Sequence, residues 1–259
     1  MLPYQVEGSG HPLLLIHGWG VTYAVWRNLV PLLTPHFQLI LVELPGMGAA
    51  CEIVPGKPYY SACSDGLEEL RIALGIEQWS ILAYSAGTRV GEAYIQRYPQ
   101  HVDRAIFLCP LYLRRAWKMA LEVEQWINSK SSGLAGWIVS DWRLYYLLIT
   151  LGFDRQSCDC AREWMSEIKL QPLANLKRML LELPGKGRAP FTLPASSPVP
   201  ILFVWGSRDA LVLPPSRLQP HDVVILASHS APMINPHDVA AVVLPFLKSV
   251  EYHPLALRK

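Results

Sequence analysis

The chain lacks the marks of several large protein classes. No stretch reaches the roughly 18 consecutive apolar residues that a membrane-spanning helix needs, although 51% of its 259 residues are hydrophobic. Met1 to Gly10 hold no basic segment followed by an apolar core, so no secretory leader is expected and a cytoplasmic location is the default. Internal repeats and low-complexity tracts are absent. The five cysteines, Cys51, Cys63, Cys109, Cys158 and Cys160, form an odd set without the spacing of a disulfide framework, and are expected to stay reduced. Cys158-Asp159-Cys160 is not the zinc pattern of two intervening residues and no partner pair follows, so no metal is expected. A net charge of only +2 and the lack of a binding motif argue against nucleic acid.

Alternating strand and helix patterns are abundant up to Pro110. Val6–Glu7, Leu13–Ile16, Phe37–Glu43, Trp79–Leu82 and Arg104–Leu108 read as strands, and Trp26–Leu33, Ser61–Leu74 and Thr88–Tyr98 as helices. Strand followed by helix, repeated, implies parallel pairing through right-handed crossovers. Two more strands, Pro200–Trp205 and Asp222–Leu226, precede a last helix that starts near Asn235-Pro236-His237-Asp238. The fold class expected is α/β, with a mostly parallel sheet flanked by helices.

Between the strand Trp79–Leu82 and the helix that follows lies Ala83-Tyr84-Ser85-Ala86-Gly87. A serine at the tip of a sharp strand-to-helix turn is a nucleophile elbow, and the crowded turn demands small residues two before and two after it. Ala83 and Gly87 meet that demand. By itself the motif could equally be a helix N-terminus with Ser85 near its cap. Two further segments agree with the first reading. Leu13–Ile16 runs into His17-Gly18-Trp19-Gly20, a glycine-rich loop able to aim N–H groups at a developing oxyanion. Near the C-terminus, Asp209 and His229 each follow a strand, as Ser85 does, at the sheet edge where sites form.

Taken together, His17-Gly18-Trp19-Gly20, Leu44-Pro45-Gly46-Met47-Gly48, the Ser85 elbow, Gly206-Ser207-Arg208-Asp209 with Val212, and His229 before Pro236 resemble the α/β-hydrolase superfamily. The likeness runs from Val6 to about residue 250. It implies an α/β-hydrolase fold of about seven strands, because the additional N-terminal strand usual in the family would need residues before Val6. It also implies Ser85 as nucleophile, His229 as general base and acid, Asp209 as orienting carboxylate, and the Trp19 and Ala86 N–H groups as oxyanion hole. Asp103 is the alternative acid but stands at the start of its strand. His17 is read as a loop-shaping residue and His237 as a surface residue at a helix start, while His11, His36, His101, His221 and His253 look solvent-facing. No cofactor is expected. The loop, Trp26 and the helical insertion look most like pimeloyl-carrier-protein methyl ester esterases and related small carboxylesterases. Dehalogenases and epoxide hydrolases would carry aspartate at the elbow.

From 111 to 188 the strand pattern lapses into helix-period segments at 113–128, 133–151, 157–170 and 173–183, followed by a proline-rich return. In the superfamily a helical cap is inserted here, so 1–110 and 189–259 are expected to form the core and 111–188 the cap. Five of the nine tryptophans lie in it, which implies an apolar or aromatic group on the substrate. His17, Gly18, Tyr84, Cys109 and Trp142 are expected to line the pocket. The cap holds 12 Lys or Arg against 8 Asp or Glu. Such a surface is either a solvated face or a docking site for an acidic carrier protein. The function expected is a serine hydrolase cleaving carboxylic esters through an acyl-enzyme. A carrier-bound methyl ester esterase or thioesterase is one alternative, and a ligand-binding receptor with little turnover another.

Overall fold

The computed structural model describes residues 1–50, 56–110, 163, 166–167, 170–171, 175–176, 199–209, 211–212 and 214–249. The apolar runs become seven strands of one sheet, β1 Tyr4–Gly8, β2 His11–Ile16, β3 Phe37–Val42, β4 Trp79–Tyr84, β5 Val102–Leu108, β6 Ile201–Gly206 and β7 Asp222–Ile225. Their spatial order is β1-β3-β2-β4-β5-β6-β7. Every pairing is parallel except that of the edge strand β1, which runs antiparallel to β3. All six residues of the central β4 are buried, whereas four of the five in β1 are exposed, as expected where one face and one edge meet water.

Five α-helices are described: α1 Val30–Leu33, α2 Tyr59–Ala73, α3 Gly87–Arg97, α4 Ala231–Ile234 and α5 Pro236–Lys248. Where the sequence suggests one helix over Trp26–Leu33, the structure has a 3-10 turn, Tyr23–Trp26, and then the short α1. Local chemistry explains the break. Thr22 Oγ1 accepts from Ala24 N–H and starts the turn, while Pro31 has no N–H and fits only the first turn of a new helix. The core between sheet and helices includes Trp26, Trp79, Tyr94 and Phe107, all fully buried. Each buried large side chain contributes about 2 kcal/mol or more through lost apolar exposure.

The connection after β2 leads outward to β3 on one side, and the connection after β4 leads to β5 on the other. Opposite turns leave a crevice between the carboxyl ends of β2 and β4, the place where open α/β sheets bind ligands. Among the described residues no helix is long and apolar enough to cross a membrane. Cys63 and Cys109 are buried free thiols. Most of the expected cap, including Trp142 and its basic side chains, lies outside the described residues, as do Cys51, Cys158, Cys160 and His253.

Candidate active site

Ser85 has φ of 51°, and Cys109 at 44° is the other non-glycine residue with positive φ among the described residues. An L side chain occupies that region at a cost, so surrounding structure must hold it there. Ser85 N–H donates to Leu108 O at 3.0 Å, and Thr88 returns two bonds to Ser85 O, from N–H at 3.1 Å and from Oγ1 at 2.6 Å. The small residues around the serine follow from the crowding. A Cβ on Gly87 would collide with His17 O and lie 2.7 Å from Ile16 O. Ala83 is accommodated because the residue facing its methyl group is Gly91, where even an added Cβ would stand 3.4 Å away.

Gly87→Ala therefore inverts the usual helix rule. Alanine normally stabilises a helix by about 1 kcal/mol over glycine, but here a loss of at least about 2 kcal/mol is expected from overpacking. Urea unfolding of both proteins measures the sign.

Three side chains from separate strand ends meet behind the elbow. Ser85 Oγ lies 2.8 Å from His229 Nε2, and His229 Nδ1 lies 2.7 Å from Asp209 Oδ2. Ser85, Asp209 and His229 are 5%, 3% and 2% exposed, so little water competes for these bonds. An ionised carboxylate only accepts, which places the imidazole proton on Nδ1 and leaves Nε2 to accept from the serine hydroxyl. The second Asp209 oxygen accepts from Leu211 and Val212 N–H, both at 2.9 Å, which locks the carboxylate rotamer. Tyr84 anchors the far side, its hydroxyl donating to His229 O at 2.8 Å. Asp103 lies at the amino end of β5, beside Ser80 and Arg104, and not near His229. His237 is exposed on α5, away from this chain of bonds.

The glycine-rich loop runs beside the elbow, since a Cβ on Gly18 would lie 3.1 Å from Ser85 Cβ and 3.3 Å from the Tyr84 ring. Ala86 heads α3, where the first N–H groups have no intrahelical partner. Trp19 is half-buried, and its indole Nε1 donates to Leu176 O at 3.0 Å. His17 is wholly buried beneath the loop. Its Nε2 accepts from Leu44 N–H at 3.0 Å, and its Nδ1 donates to Gly18 O at 2.8 Å. With both nitrogens held by main chain, it shapes the loop and offers no proton to a ligand. Burial lowers its pKa to about 4, partly opposed by the Gly18 bond.

That shift has a consequence for stability. The unfolded chain, with a histidine value near 6.5, binds the proton more readily than the folded one. The stabilisation from neutral His17 is thus complete above pH 6.5 and lost as pH falls toward 4, roughly 3 kcal/mol in all. Urea midpoints from pH 7.5 to 4.5 should fall more steeply for the wild type than for His17→Asn.

Of the other residues expected at the pocket, Tyr84 and Cys109 are buried beside Ser85, His229 and Asp209. Cys109 Sγ, an Asp209 oxygen and a His229 nitrogen lie within 4.8 Å of one another, the one such set of metal-capable groups among the described residues. Burial, and then the Asp209 charge, push the thiol pKa well up, so the protonated sulfur is a poor metal ligand. His101 differs from its solvent-facing expectation, being half-buried with Nδ1 against Glu77 O at 3.2 Å. The sequence reading missed Glu43, which is 2% exposed and accepts from Tyr23 N–H at 3.3 Å and Ala49 N–H at 2.8 Å. A charge ending an otherwise apolar strand was its available signal.

Comparison with known proteins gives a consistent picture. A family model described as alpha/beta hydrolase fold matches residues 11–141. The chain is 27% identical over 255 residues to a pimeloyl-[acyl-carrier protein] methyl ester esterase from Pectobacterium carotovorum, covering 92% of this chain and 94% of that protein. A 50% identical match to the protein of the same name from Photobacterium profundum spans 109 residues, 40% of this chain and 39% of that protein. Among solved structures, a malate-bound thermophilic esterase from Thermogutta terrifontis has a TM-score of 0.77 at 20% identity, over 95% of this chain and 93% of that one. An inhibitor-bound epoxide hydrolase from Bacillus megaterium has a TM-score of 0.74 at 17% identity, over 96% and 97%. At such identities the structural likeness concerns the fold.

Proposed function

The chain belongs to the α/β-hydrolase fold family, and on that premise we propose that it is a serine esterase working through an acyl-enzyme. The hydrogen-bonded line from Ser85 Oγ through His229 to Asp209 carries this reading. Ser85 Oγ attacks the ester carbonyl while His229 Nε2 takes its proton, and Asp209 stabilises the imidazolium that forms. The carbonyl oxygen becomes an oxyanion bound by the N–H groups of Trp19 and Ala86. His229 then protonates the departing alkoxide, and the alcohol leaves. Water attacks the acyl-serine with His229 again as base, the acid is released, and Ser85 regains its proton.

Pairing of Ser85 with a histidine separates this site from one where an elbow carboxylate would attack. It also weighs against a receptor with little turnover, because a buried acid-base-nucleophile line is the arrangement that covalent catalysis requires. The substrate reading is a methyl ester of an acyl group on an acidic carrier protein, supported by likeness to a relative so named over 92% of the chain. The excess of Lys and Arg over residues 111–188 suits such a partner.

The test has two arms. A fluorophosphonate should label wild-type protein and not Ser85→Ala. Carrier-bound methyl ester should be hydrolysed with a KM that rises with salt, since exposed charges are screened over roughly 8 Å at physiological ionic strength, while p-nitrophenyl acetate hydrolysis should not respond. Absence of labelling would overturn the esterase reading. A salt-independent KM would remove the carrier.

A further inference from the structure

The inserted segment touches the core through residues spaced four apart. Glu167 Oε2 accepts from Thr22 N–H at 3.1 Å and from Thr22 Oγ1 at 3.2 Å. Gln171 Oε1 accepts from Gly48 N–H at 2.7 Å, and Asn175 Nδ2 donates to Gly46 O at 3.2 Å. Residues 163, 166, 167 and 170 are helical, Gln171 lies in a bend, and 175 and 176 are helical again. Gln171 Nε2 also donates to Glu167 O at 3.1 Å, which ties two of the contact points together. Gln171 is 8% exposed and Leu176 2%, so this is a packed seam.

The partners across the seam are loops at the carboxyl ends of two neighbouring strands, 18–22 after β2 and 44–50 after β3. From the core side, Glu43 grips the same pair of connections through Tyr23 N–H and Ala49 N–H. Gly48 has φ of 52°, and a Cβ there would overlap the Glu43 carboxylate. Three successive N–H groups, of Thr22, Tyr23 and Ala24, are thus held by Glu167, Glu43 and Thr22 Oγ1 in turn. Bonds to carboxylates are the stronger kind, so the loop is held from both sides by charge-assisted contacts. Burial raises the Glu43 pKa, and the nearby Glu167 charge adds to it.

This matters for the loop between Gly18 and Gly20. Two glycines give it little stiffness of its own, yet an oxyanion donor stabilises charge only when preorganised. Trp19, whose N–H is the donor in the reading above, is itself hooked to the inserted segment through Leu176 O. We propose that Glu167 is a positioning residue for the oxyanion hole, holding the 18–22 loop so that the Trp19 N–H stays aimed at the developing oxyanion, and that Gln171 supports it by bonding Glu167 O and fixing the neighbouring 44–50 loop. The proposal rests on the esterase reading of the site.

The experiment compares wild type with Glu167→Ala, Glu167→Gln, Gln171→Ala and Arg27→Ala. Each is assayed with a p-nitrophenyl ester and with a trifluoromethyl ketone, which forms a hemiketal oxyanion on Ser85. Glu167→Ala should lose about tenfold in kcat, short of the roughly 100-fold that loss of an oxyanion donor costs because the Trp19 N–H is misaimed and not removed, and about the same factor in ketone affinity, with KM changed by less than about twofold. Glu167→Gln keeps an oxygen able to accept from Thr22 N–H and should recover most of the loss. Gln171→Ala should move kcat and ketone affinity together in the same direction, and it decides the matter if Glu167→Ala does not fold. Arg27→Ala removes only the partly exposed pair with Glu163 and should leave turnover unchanged. A wild-type kcat in both alanine variants, or a loss confined to KM with ketone affinity intact, would overturn the clamp. A wild type that ignores the ketone, with turnover persisting in Ser85→Ala, would instead overturn the esterase reading beneath it.

Discussion

Replacing Ser85 with alanine should lower kcat for ester hydrolysis by on the order of 10⁵-fold or more, the loss seen when a serine nucleophile is removed. Stability should change little. Ser85 already carries a Cβ at φ of 51°, so alanine meets the same backbone cost and drops only an oxygen bonded to His229. The two readouts, turnover and urea midpoint, therefore separate. Activity near that of the wild type, in protein that folds, would mean the elbow serine is not the nucleophile.

His229→Ala should be as damaging as Ser85→Ala, and the double variant hardly worse than either, because the two act as one unit. In the proposed mechanism the base takes the proton from Oγ and delivers it to the leaving group, and no other histidine among the described residues lies in the line of bonds. His237→Ala, at an exposed position in the first turn of α5, should change kcat/KM by less than about twofold. A severe loss at His237 with a mild one at His229 would move the base onto the helix. The cavity left beside the Tyr84 ring, whose centroid lies 5.4 Å from that of His229, should cost some stability as well. Rates are accordingly compared at a temperature where both variants are folded.

The sequence was legible where structure is local. Apolar runs marked the strands within a residue or two, as at Trp79–Tyr84 and Val102–Leu108, because burial on both faces demands continuous apolar side chains. The elbow was legible for a similar reason. Gly87 and Ala83 are small because the chain next to them is close, and that demand is written at the two positions themselves. The helix expected over Trp26–Leu33 was misjudged where two local signals competed, an apolar periodicity against the Thr22 cap and Pro31.

By itself the sequence determined the α/β alternation, the serine turn, and three candidate residues each placed just past a strand. Strand order was decided only by tertiary structure, because it depends on which distant edges pair, and no residue records its neighbour's identity. The same holds for the distances of 2.8 Å and 2.7 Å that join Ser85, His229 and Asp209 across 144 and 20 residues of sequence. The antiparallel edge at β1, the positive φ of Cys109 beside Asp209 and His229, and the grip of Glu43, Glu167 and Gln171 on the loops also belong to the folded chain alone. Patterns of burial and turn geometry act within a few residues. Hydrogen bonds between separate segments exist only once packing has brought those segments together.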